Sequence, residues 1–186
     1  MAATVSLENV SKAYTEGIEQ RSVLSGLNLQ AHSGETVALL GTSGSGKSTL
    51  LNLISGLLLP DSGKVLVAQH DLARLSSKER TLFRRRNIGF VFQFFHLVPT
   101  LTVEENLRLP LQLNGLDDAV GRDRVETLLD RVGLKERRSA FPDRLSGGEQ
   151  QRVAVCRAIV HHPSVILADE PTGNLDSYTA DEVLTL

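Results

Sequence analysis

The apolar positions of this 186-residue chain change period along its length. Val5 to Val10 and Val23 to Leu29 alternate in part, as half-buried strands do, with a polar connection holding Tyr14 and Gly17 between them. Glu35 to Leu40, ETVALL, is an apolar run that stops at Gly41, and good helix formers follow from Lys47. That order predicts strand, glycine loop, helix. Gly63 to Val67 predicts a short strand after a turn at Pro60-Asp61-Ser62-Gly63, Ser77 to Arg86 a short helix, and Ile88 to Phe92 another strand. From Thr102 to about Gly133 helical spacing replaces alternation, and Asp117 to Val132 places Val120, Val125, Leu128, Leu129 and Val132 at helical intervals. A helix from Glu149 to Val160, then Pro163 and the apolar strand SVILA, restore the first pattern. The whole reads as an α/β core interrupted by a helical insert.

Composition narrows the picture only a little. The chain is 41% hydrophobic and 23% charged, with a formal net charge of -2, so it lacks the basic footprint of a nucleic-acid binder. Its dense basic run, Arg84-Arg85-Arg86, reads first as a solvated helix end. The single cysteine, Cys156, excludes an internal disulfide and fits a reducing compartment. The longest apolar stretch, Leu50 to Leu59, is broken by Asn52, Ser55 and Gly56 and is too short to span a bilayer. Glu8 interrupts the basic-then-apolar order of a signal peptide. A role at a membrane therefore requires a partner that supplies the spanning part.

Candidate chemistry begins at Gly41-Thr42-Ser43-Gly44-Ser45-Gly46-Lys47-Ser48, followed by Thr49. The stretch fits G-x-x-x-x-G-K-[ST] between a predicted strand and a predicted helix, the context in which that pattern cradles phosphate. The glycines let backbone N–H groups turn inward, and the helix N-terminus adds partial positive charge. Lys47 can reach the β- and γ-phosphates and the Ser48 hydroxyl can ligate magnesium. Such a loop also needs a carboxylate for the metal, and Val165-Ile166-Leu167-Ala168-Asp169 ends an apolar strand in one. Glu170 follows, where it can orient and polarise an attacking water. A second anion-ready helix start appears at Leu145-Ser146-Gly147-Gly148-Glu149. Ser146 and Glu149 have capping-box spacing, which accounts for both, but not for Gly147 and Gly148, which cost helix propensity.

The phosphate loop, LSGGEQQR and VILADEP, in this order, resemble the nucleotide-binding domain of an ABC transporter over nearly the whole chain. The resemblance implies an α/β, P-loop NTPase fold: a RecA-like mixed sheet with an N-terminal antiparallel β part and an inserted helical subdomain. One ABC ATPase domain would span 1–186, incomplete at its C-terminus, with the ATP-binding core near 1–93 and 150–186 and the helical subdomain near 94–149. The resemblance also assigns roles: Tyr14 stacks on adenine, Gln93 sits near magnesium and the attacking water, and Asp176 belongs to a loop that crosses between subunits. It makes Leu145 to Glu149 a contact to ATP held by the other subunit's phosphate loop, so that two chains share each ATP site. ATP and Mg2+ are the implied ligands. The implied partners are a second ATP-binding subunit, forming a homodimer, and integral membrane permease subunits, with no nucleic acid. That places the chain on the cytoplasmic face of the inner membrane.

QFFHLVPTLTVEENLRLPL and DEPTGNLD resemble the bacterial branch of lipoprotein-release, macrolide-export and cell-division ATPases. In that branch Phe94, Phe95, His96, Leu97 and Val98 would lie near the groove that receives a membrane subunit's helix, or equally would pack the helical insert. The family continues with a further strand and a γ-phosphate-sensing histidine, whereas His32, His70, His96, His161 and His162 all precede Asp169. His161 and His162 read as a favourable pairing with a helix dipole. The alternatives are an ABC-type ATPase outside transport, or an ATP-binding fragment with little hydrolysis. Losing a sheet strand exposes its neighbour's hydrogen-bonding edge. The 186-residue chain alone is therefore expected to bind ATP weakly and hydrolyse it poorly. Steady-state ATPase assays of the purified chain check this, and a rate equal to that of the longer relatives would contradict it.

Overall fold

A computed structural model describes residues 3–17 and 19–171. The chain divides into two compact units, Met1–Arg84 and Arg85–Leu186. Asp176, assigned above to a subunit-crossing loop, lies outside the described residues.

The first unit is built on an antiparallel sheet of order β2-β1-β3-β4, from β1 (Val5–Glu16), β2 (Glu19–Ala31), β3 (Ser62–Val67) and β4 (His70–Asp71). Val5, Leu7 and Val10 of β1 meet Val65 and Val67 of β3 in the core, and helix α1 (Lys47–Ile54) adds Leu50, Leu51, Leu53 and Ile54. β1 and β2 form one long hairpin. Tyr14, expected in a polar connection, is therefore a strand residue opposite Arg21. Cross-strand pairing carries the ladder past the end of the apolar alternation.

Glu35 to Leu40 corrects the sequence reading more strongly. No strand forms there, and Leu40 is 93% exposed. An apolar, β-branched run becomes a strand only when a neighbour accepts its N–H and C=O groups. Among the described residues, neither sheet pairs with this segment. The arginine run is corrected too. Arg84 is half-buried, with its guanidinium on the Gly56 carbonyl at 2.9 Å and on the Thr81 hydroxyl at 2.9 Å, so only Arg86 is exposed. Helix α2 (Ser77–Asn87) carries this run.

The second unit opens with a parallel pair of strands, β5 (Ile88–Val91) and β6 (Val165–Ala168), in register from Ile88↔Val165 to Val91↔Ala168. Three helices lie between them in sequence: α3 (Val103–Asn114), α4 (Ala119–Arg131) and α5 (Gly147–Ile159). Their common core joins Val103, Leu107 and Leu111 to Val125 and Leu129, and to Val153, Cys156 and Val160. Val103, Leu107 and Leu111 recur every fourth residue, which gives α3 an apolar stripe toward this core. Val120, read as part of the α4 face, is instead 66% exposed in the first turn, where Asp118 caps the Gly121 N–H at 2.9 Å. His161 is buried, and burial pushes its imidazole down, whereas a dipole pairing would push it up. Burial, not a dipole pairing, is the larger influence on His161.

Asn106 fixes the entry to α3. It is fully buried, and its Oδ1 accepts from the Val98 N–H at 2.9 Å. Its Nδ2 faces the carbonyls of Val98, Leu101 and Thr102 at 3.1, 3.0 and 3.0 Å. Thr102 and Glu105 close a capping box at the same helix start. Asn106→Leu leaves several buried backbone groups without partners, and we expect a loss of about 2–4 kcal/mol. Thermal denaturation should show a fall in Tm on the order of 5–10 °C.

Candidate functional site

In the first unit, the phosphate-loop residues arrive at α1 through left-handed glycines. Gly44 has φ 79 and Gly46, the N-cap of α1, has φ 94. A Cβ at Gly46 would press on the Val23 side chain at 2.8 Å, so both the turn and the packing require glycine. No side chain caps α1. Its first N–H groups therefore remain available for an anion, as at other phosphate-binding helix starts. Lys47 Nζ donates back to the carbonyls of Gly41 at 2.9 Å and Thr42 at 3.1 Å, which draws the loop into a closed curl. Thr42, Ser43, Ser45 and Ser48 are exposed. The Tyr14 hydroxyl lies 3.4 Å from Thr49 Oγ1, so the hairpin places this ring beside the start of α1.

In the second unit, the candidate residues gather at the C-terminal ends of β5 and β6. That is where sheets with parallel strands present ligand sites. Gln93 stands in the turn after β5. Asp169 extends β6, its N–H donating to the Val91 carbonyl at 3.0 Å. Glu170 is exposed and has φ 47, left-handed for a non-glycine residue and directly before Pro171. Both facts disfavour that backbone.

The segment after Gln93 is also bent against preference, with Phe95 at φ 57 and His96 at φ 47. Arg157 of α5 holds both. Its Nη1 donates to the His96 carbonyl at 2.6 Å and its Nη2 to the Phe95 carbonyl at 2.8 Å. The His96 ring stands edge-on to Phe92 at 4.7 Å, and Phe92 stacks on Phe90 at 4.1 Å. Phe94 is left 67% exposed, while Leu97 packs toward the helical core.

Ser146 is the N-cap of α5, and both halves of the capping box are present: the Glu149 N–H on Ser146 Oγ at 3.2 Å and the Ser146 N–H on Glu149 Oε2 at 2.7 Å. The Ser146 backbone N–H, then the Ser146 hydroxyl and Arg137, hold the Glu149 carboxyl below its ordinary range. Leu145 is buried in the helical core. A Cβ at Gly147 would meet only Phe95 Cζ at 3.8 Å, an ordinary contact. Among the described residues, no neighbour requires glycine there.

Sequence reasoning passed over Arg157 and Gln151. Gln151 carried a visible signal. It shares the buried stripe of Ala154 and Ala158, a polar residue on an apolar face of α5. Magnesium is tested by donor chemistry. No group of three or more His, Cys, Asp or Glu side chains forms a metal cluster among the described residues. A single hydroxyl and a single carboxylate, completed by phosphate oxygens and water, are what magnesium takes at nucleotide sites, and Ser48 and Asp169 are of those types.

Residues 24–173 match the ABC transporter family. The chain is 50% identical over 184 residues to the lipoprotein-releasing system ATP-binding protein LolD of Pseudomonas syringae pv. tomato, covering 99% of this chain and 81% of that protein. It is 53% identical over 180 residues to an ABC transporter ATP-binding protein of Mycobacterium tuberculosis, covering 97% and 73%. Its fold superposes with TM-score 0.88 on the ATP-binding cassette MJ0796, solved as a dimer in a post-hydrolysis state bound to ADP and Pi. That pair is 42% identical, with 97% of this chain and 80% of the other covered.

Arg157→Lys keeps the charge but not the fork that reaches two carbonyls. We expect faster amide hydrogen exchange in residues 94–97, by roughly 10- to 100-fold. Exchange within α3 should be unchanged.

Proposed function

We propose that this chain, which belongs to the ABC transporter family, is the ATP-hydrolysing motor subunit of a membrane complex of the lipoprotein-release or export type. The observation that carries the reading is the phosphate loop: left-handed Gly44 and Gly46 deliver the chain into an α1 start that no side chain caps. No helix among the described residues is long and apolar enough to cross a membrane, and this reading gives the spanning part to membrane subunits.

In this reading the N–H groups from Gly41 to Thr49 cradle the phosphates of ATP, Lys47 sets its charge against the β- and γ-phosphates, and Tyr14 stacks on adenine. Ser48, Asp169 and Gln93 hold magnesium, which neutralises phosphate charge when bound. Glu170 polarises the attacking water for in-line displacement at the γ-phosphate, with Gln93 beside it. Leu145 to Glu149 serve the partner's ATP: the Ser146 cap and the bare backbone of Gly147 and Gly148 meet its γ-phosphate, so the site is complete only in a homodimer. The exposed Phe94, with Leu97 and Val98 behind it, suits a helix from a membrane subunit. The LolD relatives, half identical to this chain, support the lipoprotein-release type.

Glu170→Gln keeps the shape and removes the base. In the intact protein, turnover should fall by about 100-fold or more. ATP should remain bound and hold the dimer together, which size-exclusion chromatography with light scattering detects. Unchanged turnover would contradict the role given to Glu170.

A further inference from the structure

Gln151, on α5, has a use that neither packing nor the capping box requires. Its side chain is 1% exposed, and its Nε2 donates to the Pro171 carbonyl at 2.5 Å. Its Oε1 has no hydrogen-bond partner among the described residues. A buried carboxamide with half its capacity unused costs stability relative to an apolar side chain of the same volume. Stability alone would therefore place methionine or leucine here.

What the amide holds is a backbone that does not hold itself. Glu170 sits at φ 47 before a proline, a conformation disfavoured for both reasons. The chain around it is pinned on one side by the Asp169 N–H on the Val91 carbonyl at 3.0 Å. On the other side it is pinned by Gln151 on Pro171. Remove the second pin, and the left-handed turn loses the hydrogen bond from α5 that opposes its relaxation to extended backbone. The direction of the Glu170 carboxylate is set by that turn.

We propose that Gln151 is a positioning residue for hydrolysis: by fixing the Pro171 carbonyl from within α5, it holds Glu170 in the orientation that polarises water. This rests on the reading of Glu170 as the group that acts on water. Ser146 caps the same helix. A shift of α5 when its start meets the partner's phosphate would thereby be felt at Glu170 through one rigid side chain.

The test uses the native dimer with Gln151→Met and Gln151→Glu. Gln151→Met fills the volume without the donor. We expect kcat to fall about tenfold or more, the loss of one oriented hydrogen bond in the reactive arrangement. KM for ATP should stay within about twofold and Tm should be equal or higher. In Gln151→Glu a protonated carboxyl can donate to the Pro171 carbonyl, whereas a carboxylate repels it. Its kcat, relative to the native protein, should therefore rise as pH falls, and Gln151→Met should show no such limb. Hydrogen exchange at the Asp169 amide, bonded to the Val91 carbonyl, supplies a readout that needs no turnover, and it should be faster in Gln151→Met. Native kcat in Gln151→Met, or unchanged exchange at that amide, overturns the proposal. So does a kcat loss matched by a falling Tm and a rising KM, which marks a packing role. Absence of ATPase in the native dimer would sink the parent reading instead, and the exchange measurement would still decide for or against Gln151.

Discussion

Hydrogen bonds from the side chains of one helix to carbonyls of neighbouring loops are the constraint on which the second unit depends. Arg157 holds Phe95 and His96, and Gln151 holds Pro171. The loops concerned contain Phe95, His96 and Glu170, all with positive φ and none of them glycine. Each such residue costs roughly 1–3 kcal/mol, while each charge-assisted Arg157 bond returns about 1.5–3 kcal/mol and the neutral Gln151 bond about 0.5–1.5 kcal/mol. The two effects are of comparable size, so the loops stay bent only while α5 is in place. α5 is itself fixed by Val153, Cys156 and Val160 in the helical core and by the Ser146–Glu149 box at its start.

The consequence is mechanical. The helix whose first turn is proposed to meet a partner's phosphate also sets the backbone beside the residues proposed to handle water. Gln93 lies just before the loop that Arg157 braces, and Glu170 just before the carbonyl that Gln151 holds. The phosphate loop of the first unit is built differently. There, glycine conformations and the Lys47 ammonium shape the loop without help from a neighbouring helix.

Much of this was legible in the sequence because it is local. The helix that starts after the glycines from Gly41 to Gly46 and the Ser146–Glu149 box are each decided within a few residues, and each forms as read. What was missed depends on distant partners. Glu35 to Leu40 has the composition of a strand but no paired neighbour among the described residues, and pairing is not written in the segment itself. Tyr14 joined a strand because Arg21 lies opposite it. Arg157 and Gln151 looked like ordinary polar residues of a helix, since the loops that need them lie 62 and 20 residues away. The bent backbone at Phe95 and His96 had no glycine to announce it.

The central claim is that the start of α5 faces a phosphate loop on another chain. Cysteine cross-linking tests it directly. The native Cys156 is buried, its thiol pushed up to about 12 by burial, so it should stay silent. One chain carrying Ser43→Cys is mixed with a differently tagged chain carrying Ser146→Cys, each in a Glu170→Gln background, and treated with a short bifunctional thiol reagent. The account predicts a cross-linked pair containing one chain of each kind, formed only with ATP. No mixed product in the presence of ATP, or as much of it without ATP as with it, would contradict it.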